Sequence, residues 1–186
     1  MAERILVYGV TGSGKTALAA RISAATGIPR HAVDDLTWEP GWVEVPAEEQ
    51  QRRIAAICAG ERWILDSAYG KWLHIPLARV ELIVALDYPR RLSLARLIRR
   101  SVARAIDGRP ICNGNRESFR HLFSRNSIVG WHFKSFRRKR GRMRAWEADP
   151  SAPAVVRFTR PRQVEEWLRT REPSGELREP VGDPGA

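Results

Sequence analysis

The 186 residues fit one α/β domain, long enough to bury roughly 70% of its unfolded surface. Its only cysteines, Cys58 and Cys112, exclude a disulfide framework or a four-thiolate zinc site. With no signal-peptide layout in MAERILVYG and no apolar run near the roughly 20 residues of a membrane helix, a cytoplasmic protein without a membrane partner is expected.

The first element, Arg4 to Tyr8 (RILVY), reads as a short apolar strand and leads into a helix-length segment from Lys15 to Ala25. A weaker strand is expected at His31 to Val33, then a helix from Pro46 to Ala59 and strands at Arg62 to Asp66 and Glu81 to Leu86. Beyond Pro89 a helix runs to Ile106, with Leu94, Ala95, Ile98, Val102, Ala105 and Ile106 as its apolar stripe. The stretch Asp107 to Asn115 (DGRPICNGN) has loop composition, and helices are expected at Arg116 to Asn126 and Ser127 to Trp146, the latter with Val129, Phe133 and Phe136 as its stripe. A strand at Ala154 to Phe158 and a helix at Arg162 to Arg171 close the pattern, and residues 172–186 read as a disordered tail. Strands alternating with helices predict a parallel sheet covered on both faces, in a single domain over residues 1–171.

Gly9, Val10, Thr11, Gly12, Ser13, Gly14, Lys15 and Thr16 match the phosphate-loop pattern G-x-x-x-x-G-K-[ST] at every position, between a predicted strand and a predicted helix. Glycines let backbone N–H groups converge on phosphate oxygens while the helix directs its positive end at them. Lys15 is then placed to reach the β- and γ-phosphates and Thr16 to offer its hydroxyl to Mg²⁺. MgATP is the expected ligand. The absence of an N-K-x-D segment excludes a small GTPase, which leaves a small-molecule or nucleotide kinase.

The net charge of +11 is concentrated: residues 89–144 hold 17 Lys or Arg against 2 acids, whereas residues 1–88 hold 9 against 11. Such a region faces anions, and Lys134 to Arg144 (KSFRRKRGRMR), with seven basic residues in eleven, makes nucleic acid an alternative partner.

Beyond the phosphate loop, Asp34-Asp35-Leu-Thr-Trp38 with Pro40-Gly41-Trp42, then RWILDSAYG, LDYPRR, GNRESF and VVRFTRPRQVEEWL resemble the adenylate-kinase-like P-loop proteins known as DNA topology modulation proteins, over about residues 4–168. The resemblance implies a nucleoside-monophosphate-kinase fold: a five-stranded parallel sheet flanked by helices, with an arginine-bearing lid near residues 107–115. Asp66, ending a buried-type strand, then stands where a Walker B carboxylate holds Mg²⁺. Asp34 or Asp35 would orient or deprotonate the acceptor, the two pointing in different directions if the chain there is extended. Arg109 resembles the lid arginine of shikimate-kinase-like proteins, with Arg99, Arg100 and Arg104 in support. Adenylate kinases follow the Walker B acid with a Gly-Phe-Pro-Arg clamp, but here Ser67-Ala68-Tyr69-Gly70-Lys71 follows Asp66. Arg52, Arg53 or Lys71 is the expected substitute. The leading expectation is phosphoryl transfer from MgATP to a small nucleotide-like or hydroxylated acceptor. The alternative is an ATP-binding, nucleic-acid-binding protein that uses residues 134–144.

Overall fold

The computed structural model describes residues 2–108, 110–115 and 128–170. Arg109, the helix expected at Arg116 to Asn126 and the expected tail at 172–186 lie outside the described residues.

The chain opens with β1 (Arg4–Gly9) and α1 (Lys15–Thr26), then β2 (Arg30–His31) and the short α2 (Val33–Thr37). A hairpin of β3 (Trp38–Glu39) and β4 (Val43–Glu44) precedes α3 (Ala47–Ala59), β5 (Trp63–Leu65), α4 (His74–Leu77) and β6 (Leu82–Leu86). After the long α5 (Arg90–Asp107) come α6 (Ile128–Ala148), β7 (Ala154–Phe158) and α7 (Pro161–Arg169). Five strands form one sheet in the order β2-β5-β1-β6-β7, with every pairing parallel. The strand expected at His31 to Val33 ends at His31, because Val33 already opens a helix.

Period-2 alternation splits the core between the two faces of the sheet. Leu6, Tyr8, Leu65, Ile83 and Ala85 pack with Val33, Ile54, Trp72 and Met143 on the face of α3 and α6. Ile5, Val7, Ile64, Val84 and Leu86 pack with Leu18, Ile22, Val164 and Leu168 on the face of α1 and α7. Prolines before α3 and α5 preset extended chain ahead of each helix, and Glu48 and Glu49 complement the positive end of α3.

Two helices turn faces other than those their apolar spacing predicts. On α5 the buried residues are Ser93, Leu97 and Ser101, while Ile98 and Ile106 are exposed. The reason is close approach: α5 lies against the backbone of the phosphate loop, where small side chains fit and a wide apolar stripe does not. On α6 the buried set is His132, Ser135, Phe136, Lys139 and Met143, so Phe136 is inside as expected but Phe133 is exposed.

Candidate active site

The carboxyl ends of β1, β2, β5 and β6 bring residues 9–16, 33–35, 66 and 87 to one edge of the sheet, the usual location of a site in open α/β folds. Between β1 and α1 the chain turns through Gly12, at φ +79. A methyl group there would lie 2.3 Å from the Ser93 carbonyl oxygen and 2.9 Å from Leu97 Cβ. At Gly9 a methyl would stand 2.8 Å from Ser13 Oγ and 2.9 Å from the Leu86 carbonyl oxygen. Glycine is therefore required at both positions by contact, independently of any ligand. Ser13 Oγ and Lys15 Nζ both donate to the Val10 carbonyl, at 2.8 and 3.0 Å, which folds the lysine over the loop that Thr11 and Gly14 complete. Burial lowers the Lys15 ammonium to about 8, against the attraction of Asp34 and Asp66 and with a further push from Arg100.

Asp66 is 4% exposed. Its Oδ1 accepts the Val33 N–H at 2.9 Å and its Oδ2 lies 3.6 Å from the Arg30 guanidinium. Burial raises its pKa, opposed by the Val33 N–H and by the hydroxyl of Thr16, so Thr16 and Asp66 are neighbours. Asp34 and Asp35 do not lie in extended chain: both occupy the first turn of α2, where acids complement the helix dipole. The Tyr69 hydroxyl donates to Asp34 Oδ1 at 2.7 Å. Tyr69 is held far above the usual phenol range, first by burial and then by Asp34.

The loop expected as a lid is docked on the segment that carries Asp34 and Asp35. Cys112 Sγ donates to the Asp34 carbonyl at 3.1 Å, and Asn113 Nδ2 donates to the carbonyls of Asp35 and Trp38 at 2.8 and 2.7 Å. Asn115 Nδ2 donates to the Glu39 carbonyl at 3.0 Å while its Oδ1 accepts the Trp42 N–H at 2.8 Å. Two asparagines thus tie residues 110–115 to the β3–β4 hairpin. Trp38, the first residue of β3, and Trp42, in the turn before β4, pack edge to face on each other at 6.0 Å.

Of the expected arginines, Arg100 is close enough to depress Lys15, and Arg104 lies one turn further along α5, near its end. Arg96, not expected in the site, reaches the phosphate loop at Gly14 and lies over the Tyr88 ring. The proposed substitutes for the missing clamp arginine are otherwise committed: Arg53 bonds Glu49 and Glu39, Arg52 pairs with Glu49, and Lys71 pairs with Glu44.

Helix α6 supplies groups that periodicity alone could not place. His132 is fully buried, with Nε2 2.9 Å from Ser93 Oγ, and burial, then Arg90, lowers its pKa. Lys139 is 7% exposed and directs Nζ at the Gly9 carbonyl, 3.4 Å away. Arg142 donates to the Tyr8 hydroxyl at 3.3 Å. Asp87, 1% exposed, gathers Arg140, Arg144 and Arg157 at 2.7, 3.3 and 2.9 Å. Much of the basic segment at 134–144 is therefore turned toward the protein's own sheet.

Among the described residues no three His, Cys, Asp or Glu side chains converge as a metal cage, and no helix is long and apolar enough to cross a membrane. The donor set that does fit a divalent cation is the oxygen pair of Thr16 and Asp66 beside a phosphate loop, since Mg²⁺ takes few protein ligands when phosphates supply the rest.

No protein-family model matches the chain, and no curated protein matches it. Among solved structures it is similar to a gluconokinase from Sinorhizobium meliloti 1021, at 16% identity and a TM-score of 0.50 over 91% of this chain and 89% of that one. It is also similar to the shikimate kinase from Aquifex aeolicus vf5, at 17% identity and a TM-score of 0.50 over 90% of this chain and 94% of that one. The fold is that of the P-loop kinases, as the sequence predicts; the resemblance to DNA topology modulation proteins finds no counterpart in these comparisons.

Proposed function

We propose that the chain is a P-loop phosphotransferase that moves the γ-phosphoryl group of MgATP to a small nucleotide-like or hydroxylated acceptor, within a single domain over residues 1–171. The observation that carries this reading is the convergence of a preshaped phosphate loop, a buried carboxylate beside Thr16, and Asp34 at one edge of a kinase-type sheet. Bound nucleotide supplies the transferable group and Mg²⁺ neutralises charge on its phosphates.

This chain's own residues then have separable tasks. The backbone N–H groups of residues 11–16 and Lys15 hold the phosphates, and Lys15 leaves the Val10 carbonyl to do so. Thr16 and Asp66 would hold Mg²⁺. Asp34, fixed by Tyr69, orients the acceptor and takes its proton, with Asp35 next to it on the same turn. Arg100 and Arg104 add positive charge along the phosphoryl path, and Arg109 would close over it from the lid. Docking of residues 110–115 on the acceptor segment excludes water, the competing acceptor.

The nucleic-acid alternative is weakened, because Lys139, Arg140, Arg142 and Arg144 bond the sheet or Asp87, which leaves Lys134, Arg137 and Arg138 as the exposed basic residues of that segment without such a bond among the described residues. The test is ADP release from MgATP by wild type and Lys15→Ala against a panel of nucleoside monophosphates and hydroxylated metabolites. Turnover that an acceptor stimulates and Lys15→Ala abolishes is the expected result; nucleotide binding without stimulation by any acceptor would overturn the reading.

A further inference from the structure

Lys139 is a charged group in an unusual setting. It is 7% exposed, makes no ion pair among the described residues, and has one long hydrogen bond, 3.4 Å to the Gly9 carbonyl, for three N–H donors. A second contact is the face of the Tyr8 ring, 5.5 Å from Nζ. Lys15 is the parallel case, with Val10, the next residue along the loop, providing its carbonyl. Two ammonium groups are thus parked on adjacent carbonyls. Burial is the main force that lowers Lys139, to about 7, and Lys15, Arg138 and Arg142 push in the same direction while Asp34 alone opposes them. An anion seated beside Nζ would supply the opposite charge and the hydrogen-bond acceptors that this buried ammonium lacks.

Its position says which anion. One helical turn beyond Lys139, Met143 belongs to the same buried cluster as Tyr8, Val33, Ala68 and Trp72, and Lys139 itself lies over the Tyr8 ring. Val33 and Ala68 adjoin Asp34 and Tyr69 in sequence, so Lys139 reaches the strand ends from the acceptor face of the sheet, opposite α1 and α7. The other candidate cations of that region, Arg52, Arg53 and Lys71, are already held by glutamates.

We propose that Lys139 is the anion-binding residue of the acceptor pocket, and hence that the acceptor is a small molecule bearing a phosphate or carboxylate group. The proposal rests on the kinase reading above. It assigns Lys15 to the nucleotide and Lys139 to the acceptor, and it places the missing clamp function on the helix that follows the lid rather than beside Asp66.

The test titrates inorganic phosphate, and separately acetate, into protein saturated with Mg²⁺ and a non-hydrolysable ATP analogue, followed by tryptophan fluorescence. Wild type should bind at least one of the two anions, and the preferred one names the acceptor's group. In Lys139→Met that binding should weaken by about tenfold or more, the loss expected for a charge-assisted contact. Affinity for the nucleotide analogue should fall by a clearly smaller factor than affinity for the anion, although Lys139 bonds the Gly9 carbonyl and lies in the field of Lys15. A melting temperature at or above wild type shows that the variant is folded. Equal anion binding by both proteins, no anion binding by wild type, or a parallel loss of nucleotide affinity would each overturn the proposal. Failure of the analogue to bind at all would instead overturn the kinase reading on which it stands.

Discussion

The Tyr69 hydroxyl and Asp34 Oδ1 lie 2.7 Å apart, linking the segment that follows β5 to the acid that follows β2. In the proposed mechanism the phenol would leave one carboxylate oxygen for the acceptor and fix the direction in which it points. Tyr69→Phe should therefore lower kcat about tenfold with the KM for MgATP unchanged, because positioning of a proton-accepting group contributes most in the transition state. Steady-state kinetics with an acceptor that stimulates turnover checks this; a change confined to the KM for MgATP would remove Tyr69 from the acceptor side.

Gly12 and Gly41 share φ +79 and differ in what surrounds them. Gly41 has nothing within 4 Å of an added methyl, so Gly41→Ala should cost roughly 1 kcal/mol of stability from backbone strain alone. Gly12→Ala must push the loop away from Ser93, and a displacement of that kind is expected to weaken MgATP binding by about 100-fold. Urea unfolding and nucleotide titration of both variants separate the two costs.

The phosphate loop and the fold class were legible because each rests on local rules: a motif between a strand and a helix, and apolar runs of strand length. The facing of α5 and α6 was not. Leu94 and Ile98 have the right spacing for a buried stripe, yet Ser93 and Leu97 are inside because the partner is backbone at Gly12, a surface that a periodicity argument cannot see. Lys139 was hidden in a run of seven basic residues for the same reason, since only the sheet below distinguishes it from Arg138. The helical turn at Asp34 and Asp35 is anchored where the Asp66 carboxylate accepts the N–H of Val33, 33 positions earlier in sequence.

Asp87 should prove structural. Asp87→Asn removes the charge that Arg140, Arg144 and Arg157 share, but those guanidiniums, at 34, 53 and 22% exposure, can rehydrate. The expected loss is about 2 kcal/mol rather than the ~3–5 kcal/mol of breaking a fully buried pair. Chemical denaturation measures it.

Lys139 also predicts a pH dependence of stability. Its pKa is about 7 when folded against 10.5 for an ordinary lysine, so between these values the unfolded chain binds more protons and stability rises with pH. The slope contributed by this one group is at most about 1.4 kcal/mol per pH unit. Lys139→Met should remove that slope and be more stable than wild type near pH 7, as denaturation at a series of pH values will report.

Asn113→Ala with Asn115→Ala removes the hydrogen bonds from both side chains to the hairpin and to Asp35. Hydrogen exchange at residues 110–115 should quicken and ATP hydrolysis without acceptor should rise, because water gains access when the cover opens. Unchanged exchange would show that the loop is held by something else.

Asp66 faces two ways: one oxygen holds the first N–H of α2 while the carboxylate also neighbours Thr16. If Asp66 holds Mg²⁺ and Asp34 the acceptor, as proposed, a cation at Asp66 would act on the same carboxylate that anchors the turn carrying Asp34, and metal occupancy and acceptor affinity would be coupled. Thermodynamic linkage makes the effect mutual: whatever factor Mg²⁺ imposes on acceptor binding, the acceptor must impose on Mg²⁺. Under the proposed roles, a single carboxylate would let this small fold sense, at one substrate's seat, whether the other's counterion has arrived.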